Sequence, residues 1–360
     1  MIPKILIIGS TGKLGSKLLA FCSKNTISVD AITCLSNKKK LFIQKKKYSI
    51  KKSFILSDPI SNNKFLDYLK SKIDIIYFLD VGSESLTYID YFLKSNINSI
   101  VAIANKEMII AGGLLLKKKI SKNNNIFVPL DSEHFSLFNS NLNNINKIYI
   151  TASGGPFYYN KNINLENVSK KNVLTHPKWK MGINNLIDSS NFVNKVLEIF
   201  ELSYIYSIPL NKIDFFISKE AYVHSIIEFN NGTITLNCFH NDMIIPLVRP
   251  LEFFYNIKLP KHTYKIFNNN NFTIERFDDL RFKLNKYLKK VFLLDHDKQI
   301  LFMLLNNKAQ KLYLSNRLKY NNILDYIFNN INNTVIKKSI KSNFNDIIRF
   351  IRAIKNFYEI

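Results

Sequence analysis

The start of the chain constrains its fold most. Lys4 to Ile8 is a short apolar run that reads as a buried strand. It breaks into Gly9-Ser10-Thr11-Gly12-Lys13-Leu14-Gly15, after which a helical pattern runs to about Ser23. A strand, a glycine turn and a helix in that order open a doubly wound α/β domain. The glycines permit a tight turn and close backbone approach, and the N–H groups and dipole of the helix start can hold a pyrophosphate. The spacing is G-x-x-G-x-x-G, a variant found in many NADP-dependent enzymes, although an ordinary strand-to-helix turn has the same ingredients. After the second strand, Val29 to Leu35, an NAD site would place a carboxylate on the ribose. The chain reads Ser36-Asn37-Lys38 there, which favours a 2′-phosphate and hence NADP.

Strand candidates continue at Ile75 to Leu79, Ser99 to Ala102 and Asn125 to Pro129, separated by helical patterns, as in a parallel α/β domain. Residues 148–250 mix strands (Ile148 to Thr151, Thr233 to Cys238) with a helix from about Ser190 to Leu202. An Asn-, Pro- and Lys-rich stretch around 255–276 reads as a linker. Beyond it, Phe344, Ile347, Ile348, Ile351, Ile354 and Tyr358 mark one helix face.

The 360 residues include 51 Lys and Arg against 27 Asp and Glu, a net charge of +24. Such a balance raises a nucleic-acid partner. Only 6 of the basic residues are Arg, however, the side chain best suited to bidentate phosphate and guanine contacts. Lys, Asn, Ile, Phe and Tyr share AT-rich codons, so base bias accounts for the excess and no nucleic acid is expected. The 3 cysteines (Cys22, Cys34, Cys238) have no metal-like spacing and suggest a reducing compartment. The longest apolar stretch, Met108 to Leu116, is too short to span a bilayer. A cytoplasmic protein with no membrane partner is the expectation.

Four further segments carry chemistry. Asp131-Ser132-Glu133-His134 follows a strand; in extended backbone its two carboxylates share a face and suit a hard divalent cation if a third ligand arrives, or else form a solvated acidic turn. Thr151-Ala152-Ser153-Gly154-Gly155-Pro156-Phe157 ends a strand in a hydroxyl and exposed N–H groups, fit for an anion or simply for a turn. His176-Pro177-Lys178-Trp179-Lys180-Met181-Gly182 holds the single Trp, either anchoring a surface loop or forming a lid over a small charged substrate. In Asp188-Ser189-Ser190-Asn191, Ser189 or Ser190 can cap the helix that follows. Asn194, Lys195 and Glu198 can share one face of it, at minimum as a surface ion pair.

In series, these segments resemble the 1-deoxy-D-xylulose 5-phosphate reductoisomerase family. GSTGKLG, Ala104-Asn105-Lys106-Glu107, DSEH, SGGPF, HPKWKMG and Asp188-Ser189 with Asn194-Lys195 and Glu198 carry the resemblance, which Val223-His224-Ser225 and Asp242-Met243 extend to about residue 250. It implies an NADPH- and divalent-metal-dependent rearrangement and reduction of 1-deoxy-D-xylulose 5-phosphate to 2-C-methyl-D-erythritol 4-phosphate, in non-mevalonate isoprenoid precursor biosynthesis. It implies Mg²⁺ or Mn²⁺ on Asp131, Glu133 and Glu198, with Lys106 and Glu133 catalytic. Substrate contacts would come from Lys106, Ser132, Glu133, Ser153, His176, Trp179, Met181, Ser189, Asn194, Lys195 and Glu198. NADPH would lie on Thr11, Gly12, Lys13, Leu14, Ser36, Asn37, Lys38, Asn105, Glu107 and Gly182. The implied fold is a Rossmann-like α/β N-terminal domain (1–130) and an α+β central catalytic domain (131–250) with a lid loop at 175–185. A linker (251–276) and a C-terminal α-helical domain (277–360) follow. The family is typically a homodimer through the central domain's sheet.

The chain departs from the family pattern in four places. Asp80-Val81-Gly82-Ser83-Glu84 replaces a small-residue V-G-A-A-G stretch, and Ile183-Asn184-Asn185 replaces basic residues after the lid. Val196 replaces a glycine. The N-A-A-N-E signature is not recognisable, Ser315-Asn316-Arg317 being its nearest remnant. Another NADP-dependent oxidoreductase of homoserine or semialdehyde type, needing no divalent cation, is the competing enzyme class.

Overall fold

The computed structural model describes residues 2–175, 182–259, 272–335 and 341–360. The chain forms two units, one of Met1–Phe138, Asp242–Lys261 and Ser342–Ile348, the other of Asn139–Asn241, His262–Lys341 and Arg349–Ile360.

The first unit alternates strand and helix: β1 (Ile5–Ile8), α1 (Lys13–Lys24), β2 (Ala31–Cys34), α2 (Lys38–Lys47), β3 (Lys52–Ile55), α3 (Pro59–Tyr68), β4 (Ile75–Phe78), α4 (Ser85–Ser95), β5 (Ile100–Ile103), α5 (Lys106–Lys122), β6 (Ile126–Pro129) and the one-turn α6 (Ser132–Phe135). The strands form one sheet in the order β3-β2-β1-β4-β5-β6, and every pairing is parallel. β1, β2, β4 and β5 are buried along their whole length. They therefore read as unbroken apolar runs, as strands covered on both faces must. β3 is one of the two edges; its Lys52-Ser53 start hides it from the hydrophobic pattern, and lysine on an edge discourages pairing with another chain. Strand order reverses between β1 and β4, so the ligand crevice of such a sheet opens beyond their carboxyl ends.

The second unit begins with β7 (Ile145–Ala152), α7 (Lys170–Val173), α8 (Ile183–Ser190), α9 (Val193–Tyr206), β8 (Ile213–Ile217), β9 (Val223–Phe229) and β10 (Ile234–Cys238). Next, α10 (Ile244–Val248) returns to the first unit. Leu247 and Leu251 are fully buried in its core, and the Tyr77 hydroxyl donates to Leu247 O at 3.0 Å. Leu251 thus packs at the start of the segment whose polar composition suggests a linker. β11 (Glu275–Arg276), α11 (Leu284–Val291), α12 (His296–Leu314), α13 (Ile323–Asn333) and α14 (Phe344–Tyr358) complete the chain. The second sheet is mixed, ordered β10-β9-β7-β8-β11, with β7 and β8 parallel and the other pairs antiparallel. Phe344, Ile347, Ile351 and Ile354 of α14 are buried, as their spacing predicts.

One helix boundary differs from expectation. Ser189 and Ser190 do not cap α9; they are the last residues of α8. Asn191 Oδ1 instead accepts from Val193 N at 3.0 Å, and Phe192 sits between the helices at φ 66°. The strain of that left-handed residue is offset by burial of its ring against Phe277 and Phe282, with centroids 4.5 and 4.8 Å away. Among the described residues no helix is long and apolar enough to cross a membrane.

Candidate active site

In the first unit, the glycine turn lies where the crevice opens. Gly9 has φ +80°, and a Cβ there would sit 2.7 Å from Asp80 N, so only glycine lets β1 turn beside the end of β4. Gly12 occupies the N-cap of α1 without a side-chain cap, which suits an anion at the N–H groups of Lys13 and Leu14. The turn is fixed from behind. Ser10 Oγ donates to Gln44 Oε1 at 2.9 Å, and Gln44 Nε2 returns a bond to Ser10 O at 2.9 Å. Ser36, Asn37 and Lys38 are exposed just past β2, with Asn37 Oδ1 capping α2 at Lys40 N. The lysine that reaches the turn is one that the sequence did not single out: Lys40 Nζ donates to Thr11 O at 2.7 Å.

Asn105, at the end of β5, has little freedom. Its Oδ1 accepts from Met108 N at 2.9 Å as the cap of α5, while its Nδ2 donates to Gly82 O at 2.9 Å and Asp80 Oδ1 at 3.2 Å. Asp80 also accepts from Ser85 Oγ. Burial pushes the Asp80 carboxyl up to about 6 despite these two donors. Lys106 is the first residue of α5 and Glu107 the second. Lys106 Nζ comes to 3.4 Å from Asp131 Oδ2, both side chains being largely shielded from water.

The structure corrects the extended reading of Asp131 to His134: these residues form a helical turn rather than a strand end. Asp131 Oδ1 accepts from Ser132 N at 2.9 Å as the cap of α6, which begins at Ser132. Capping wins because Asp before an uncapped helical turn satisfies an otherwise orphaned N–H. Glu133 accepts from Ser132 Oγ at 2.5 Å. Two oxygen-rich carboxylates in one turn remain a donor set for a hard divalent cation.

In the second unit, Ser153 follows β7 and lines a cavity of about 750 Å³ with Gly155, Pro156, Tyr159, Lys161 and Lys219. Asn194, Lys195 and Glu198 lie one turn apart on α9 as expected, but they are not a solvated pair. Lys195 and Glu198 are 4% and 1% exposed. Lys195 Nζ pairs with Glu198 and donates to Thr151 O at 2.5 Å, while Asn194 Nδ2 also bonds Glu198. Gly182 precedes α8 as its N-cap. His176, Trp179 and Met181 lie outside the described residues.

Two buried amides were invisible to sequence reasoning. Asn306 and Gln310 on α12 converge on the buried Asp188 carboxylate. Their separation is that of the first and last residues of the N-A-A-N-E signature, whose nearest remnant by sequence is Ser315-Asn316-Arg317. Those three residues form only a local turn, with Arg317 Nε donating to Ser315 Oγ at 3.0 Å. A helix-spaced Asn and Gln looks like any polar pair until its carboxylate partner is known.

Residues 127–206 match the family model described as the 1-deoxy-D-xylulose 5-phosphate reductoisomerase C-terminal domain. The 1-deoxy-D-xylulose 5-phosphate reductoisomerase of Pelagibacter ubique is 34% identical over 368 residues, covering 95% of this chain and 92% of that protein. The Clostridium novyi enzyme of the same name is 29% identical, covering 98% and 97%. Among solved structures, the Zymomonas mobilis reductoisomerase in complex with NADPH superposes with a TM-score of 0.85 at 21% identity, over 99% of this chain and 98% of that one. A DOX-P reductoisomerase in complex with NADPH, fosmidomycin and magnesium gives 0.84 at 20% identity, over 99% and 97%. The shared fold, and above all the near-complete overlap with the Pelagibacter relative, establish that this chain belongs to the 1-deoxy-D-xylulose 5-phosphate reductoisomerase family.

Proposed function

We infer that the chain converts 1-deoxy-D-xylulose 5-phosphate to 2-C-methyl-D-erythritol 4-phosphate with NADPH and Mg²⁺ or Mn²⁺. One observation carries this reading beyond family membership. Lys195 and Glu198 are nearly fully buried on one helix, an arrangement whose desolvation cost rivals its Coulombic gain and which is poorly explained by stability alone. A phosphate for the lysine and a cation for the glutamate give each a task.

Ser153, Ser189, Asn194 and Lys195 hold the substrate phosphate, with His176, Trp179 and Met181 covering the substrate. Ser132 and Glu133 orient its hydroxyl groups. Asp131, Glu133 and Glu198 are assigned to the cation on the family resemblance and on the oxygen-only donor set. When bound, the cation supplies Lewis acidity at substrate oxygens and NADPH supplies the hydride. Lys106 stabilises developing oxyanion charge or passes a proton, with Asp131 holding its ammonium in place. Thr11, Gly12, Lys13 and Leu14 receive the NADPH pyrophosphate; Ser36, Asn37 and Lys38 face its 2′-phosphate, and Asn105, Glu107 and Gly182 complete that site.

The same resemblance proposes a homodimer. β10 is an edge strand, and Ile234 and Leu236 on one of its faces are 65% and 48% exposed. A second copy of this sheet would cover them. Sedimentation measures this directly, and a monomer at micromolar concentration rejects it. Cys22 and Cys34 are buried free thiols, in keeping with a cytoplasmic setting. The deciding assay is NADPH oxidation by the purified chain with Mg²⁺ or Mn²⁺. It proceeds only when deoxyxylulose phosphate is added; no turnover while NADPH still binds overturns the assignment.

A further inference from the structure

Asp188, Ser189 and Ser190 end α8, and they are gripped from three directions, two of them by residues that follow β11 and one by the turn after β7. Asp188 is 4% exposed. Asn306 Nδ2 donates to both of its oxygens, at 2.9 and 3.0 Å, and Gln310 Nε2 donates to Oδ1 at 2.5 Å. Both amides are 1% exposed and stand one turn apart on α12. Gln310 Nε2 also reaches Asn184 O, in the first turn of α8, at 3.3 Å. One amide therefore ties both ends of that helix to α12.

The second grip is Tyr320, whose hydroxyl donates to Ser190 O at 2.8 Å. Its ring packs edge-on against Phe157, the last residue of the SGGPF turn, with centroids 5.8 Å apart. The third is steric. A Cβ on Gly155 would lie 2.7 Å from Ser189 O, so the turn carrying Ser153 is pressed against the backbone carrying Ser189. Any side chain there would part them.

We propose that Asn306, Gln310 and Tyr320 are positioning residues that hold Ser189 in register with Ser153 for phosphate binding. The chemistry at 310 is specific. Where the N-A-A-N-E signature ends in a carboxylate, this chain has an amide that donates to Asp188. Charge-assisted bonds to a buried carboxylate are directional enough to fix a hydroxyl one residue away. This inference rests on the assignment of Ser153 and Ser189 to the phosphate.

The test uses the full chain, with inorganic phosphate and deoxyxylulose phosphate as probes. Calorimetric phosphate titration of a Ser189→Ala variant first checks the assignment itself. Unchanged affinity there sinks the phosphate site, independently of what the helices do. Tyr320→Phe removes one oxygen and is expected to weaken phosphate binding about fivefold, the scale of one net hydrogen bond. KM for deoxyxylulose phosphate should rise in parallel, with kcat and KM for NADPH within about twofold. Gln310→Glu should do the same more strongly. Adding Asp188→Asn to it exchanges amide and carboxylate and should recover part of the phosphate affinity, the bonds to Asn184 O and to one Asp188 oxygen staying lost. A lowered melting temperature with phosphate affinity intact in Tyr320→Phe, or a double variant no better than Gln310→Glu, would overturn the proposal. If Gln310→Glu alone fails to fold, Tyr320→Phe and the double variant still decide it.

Discussion

Lys106 Nζ stands 3.4 Å from Asp131 Oδ2 because β5 and β6 are parallel neighbours, so the residues just beyond their carboxyl ends emerge side by side. The pair joins a cation to a proposed metal ligand within one unit. Replacing Lys106 by Met keeps the stem and removes the charge. We expect kcat to fall by about 10²–10³, the scale of losing one electrostatic donor, with NADPH affinity nearly unchanged. Steady-state kinetics and a fluorescence titration of NADPH separate the two. A loss confined to NADPH binding would remove Lys106 from the chemistry.

The two members of the Lys195–Glu198 pair are told apart by metal affinity. Lys195→Met strips a buried carboxylate of its cation, which typically costs about 3–5 kcal/mol. The unfolding midpoint should drop sharply. Glu198→Gln leaves the buried Lys195 ammonium with neutral acceptors, Thr151 O among them, so it too should lower the midpoint, though by less because the amide keeps an oxygen near Asn194. Affinity for Mn²⁺ should fall about tenfold or more, equivalent to about 1.4 kcal/mol or above. Equal Mn²⁺ affinity in Glu198→Gln and parent would exclude Glu198 from the metal set.

The sequence disclosed the parts of this fold whose patterns are local. β1, the glycine turn and α1 are written contiguously, and the fully buried strands are apolar runs. β3 escaped because an edge strand need not be apolar. The α8–α9 break escaped because Ser189, Ser190 and Asn191 are all good caps, and the choice among them depends on where the Phe192 ring is buried. Asp131, Glu133 and Lys195 were legible as chemistry-bearing residues. What could not be read was the support behind them: Gln44 under the glycine turn, Asp80 under Asn105, and Asn306 with Gln310 on Asp188. Each of these bonds joins residues 25 or more positions apart, and no spacing rule reports such a contact.

Lys40 gives a prediction about cofactor choice. The sequence assigns the 2′-phosphate to Lys38, which is exposed, whereas Lys40 Nζ lies on the glycine turn at Thr11 O. Lys38→Ala should raise KM for NADPH about tenfold and leave KM for NADH unchanged, because only NADPH carries the 2′-phosphate. Lys40→Ala should affect both cofactors, since it loosens the turn that receives their common pyrophosphate. If Lys40→Ala penalises NADPH alone, Lys40 is the 2′-phosphate ligand.

Asp80 predicts how stability depends on pH. Burial raises its folded-state pKa from 3.8 to about 6, so the native chain holds this proton more tightly than the unfolded one. The resulting contribution to stability is fully present below about pH 4 and is lost as pH rises through 6. Two pKa units set its upper size at about 3 kcal/mol. An Asp80→Asn variant cannot titrate there, and its amide oxygen can still accept from Ser85 or Asn105. Its unfolding midpoint should therefore exceed the parent's at pH 8, with the advantage shrinking towards pH 5. Urea unfolding of both proteins across that range measures the difference. Parallel pH profiles would mean that folding does not raise the Asp80 pKa.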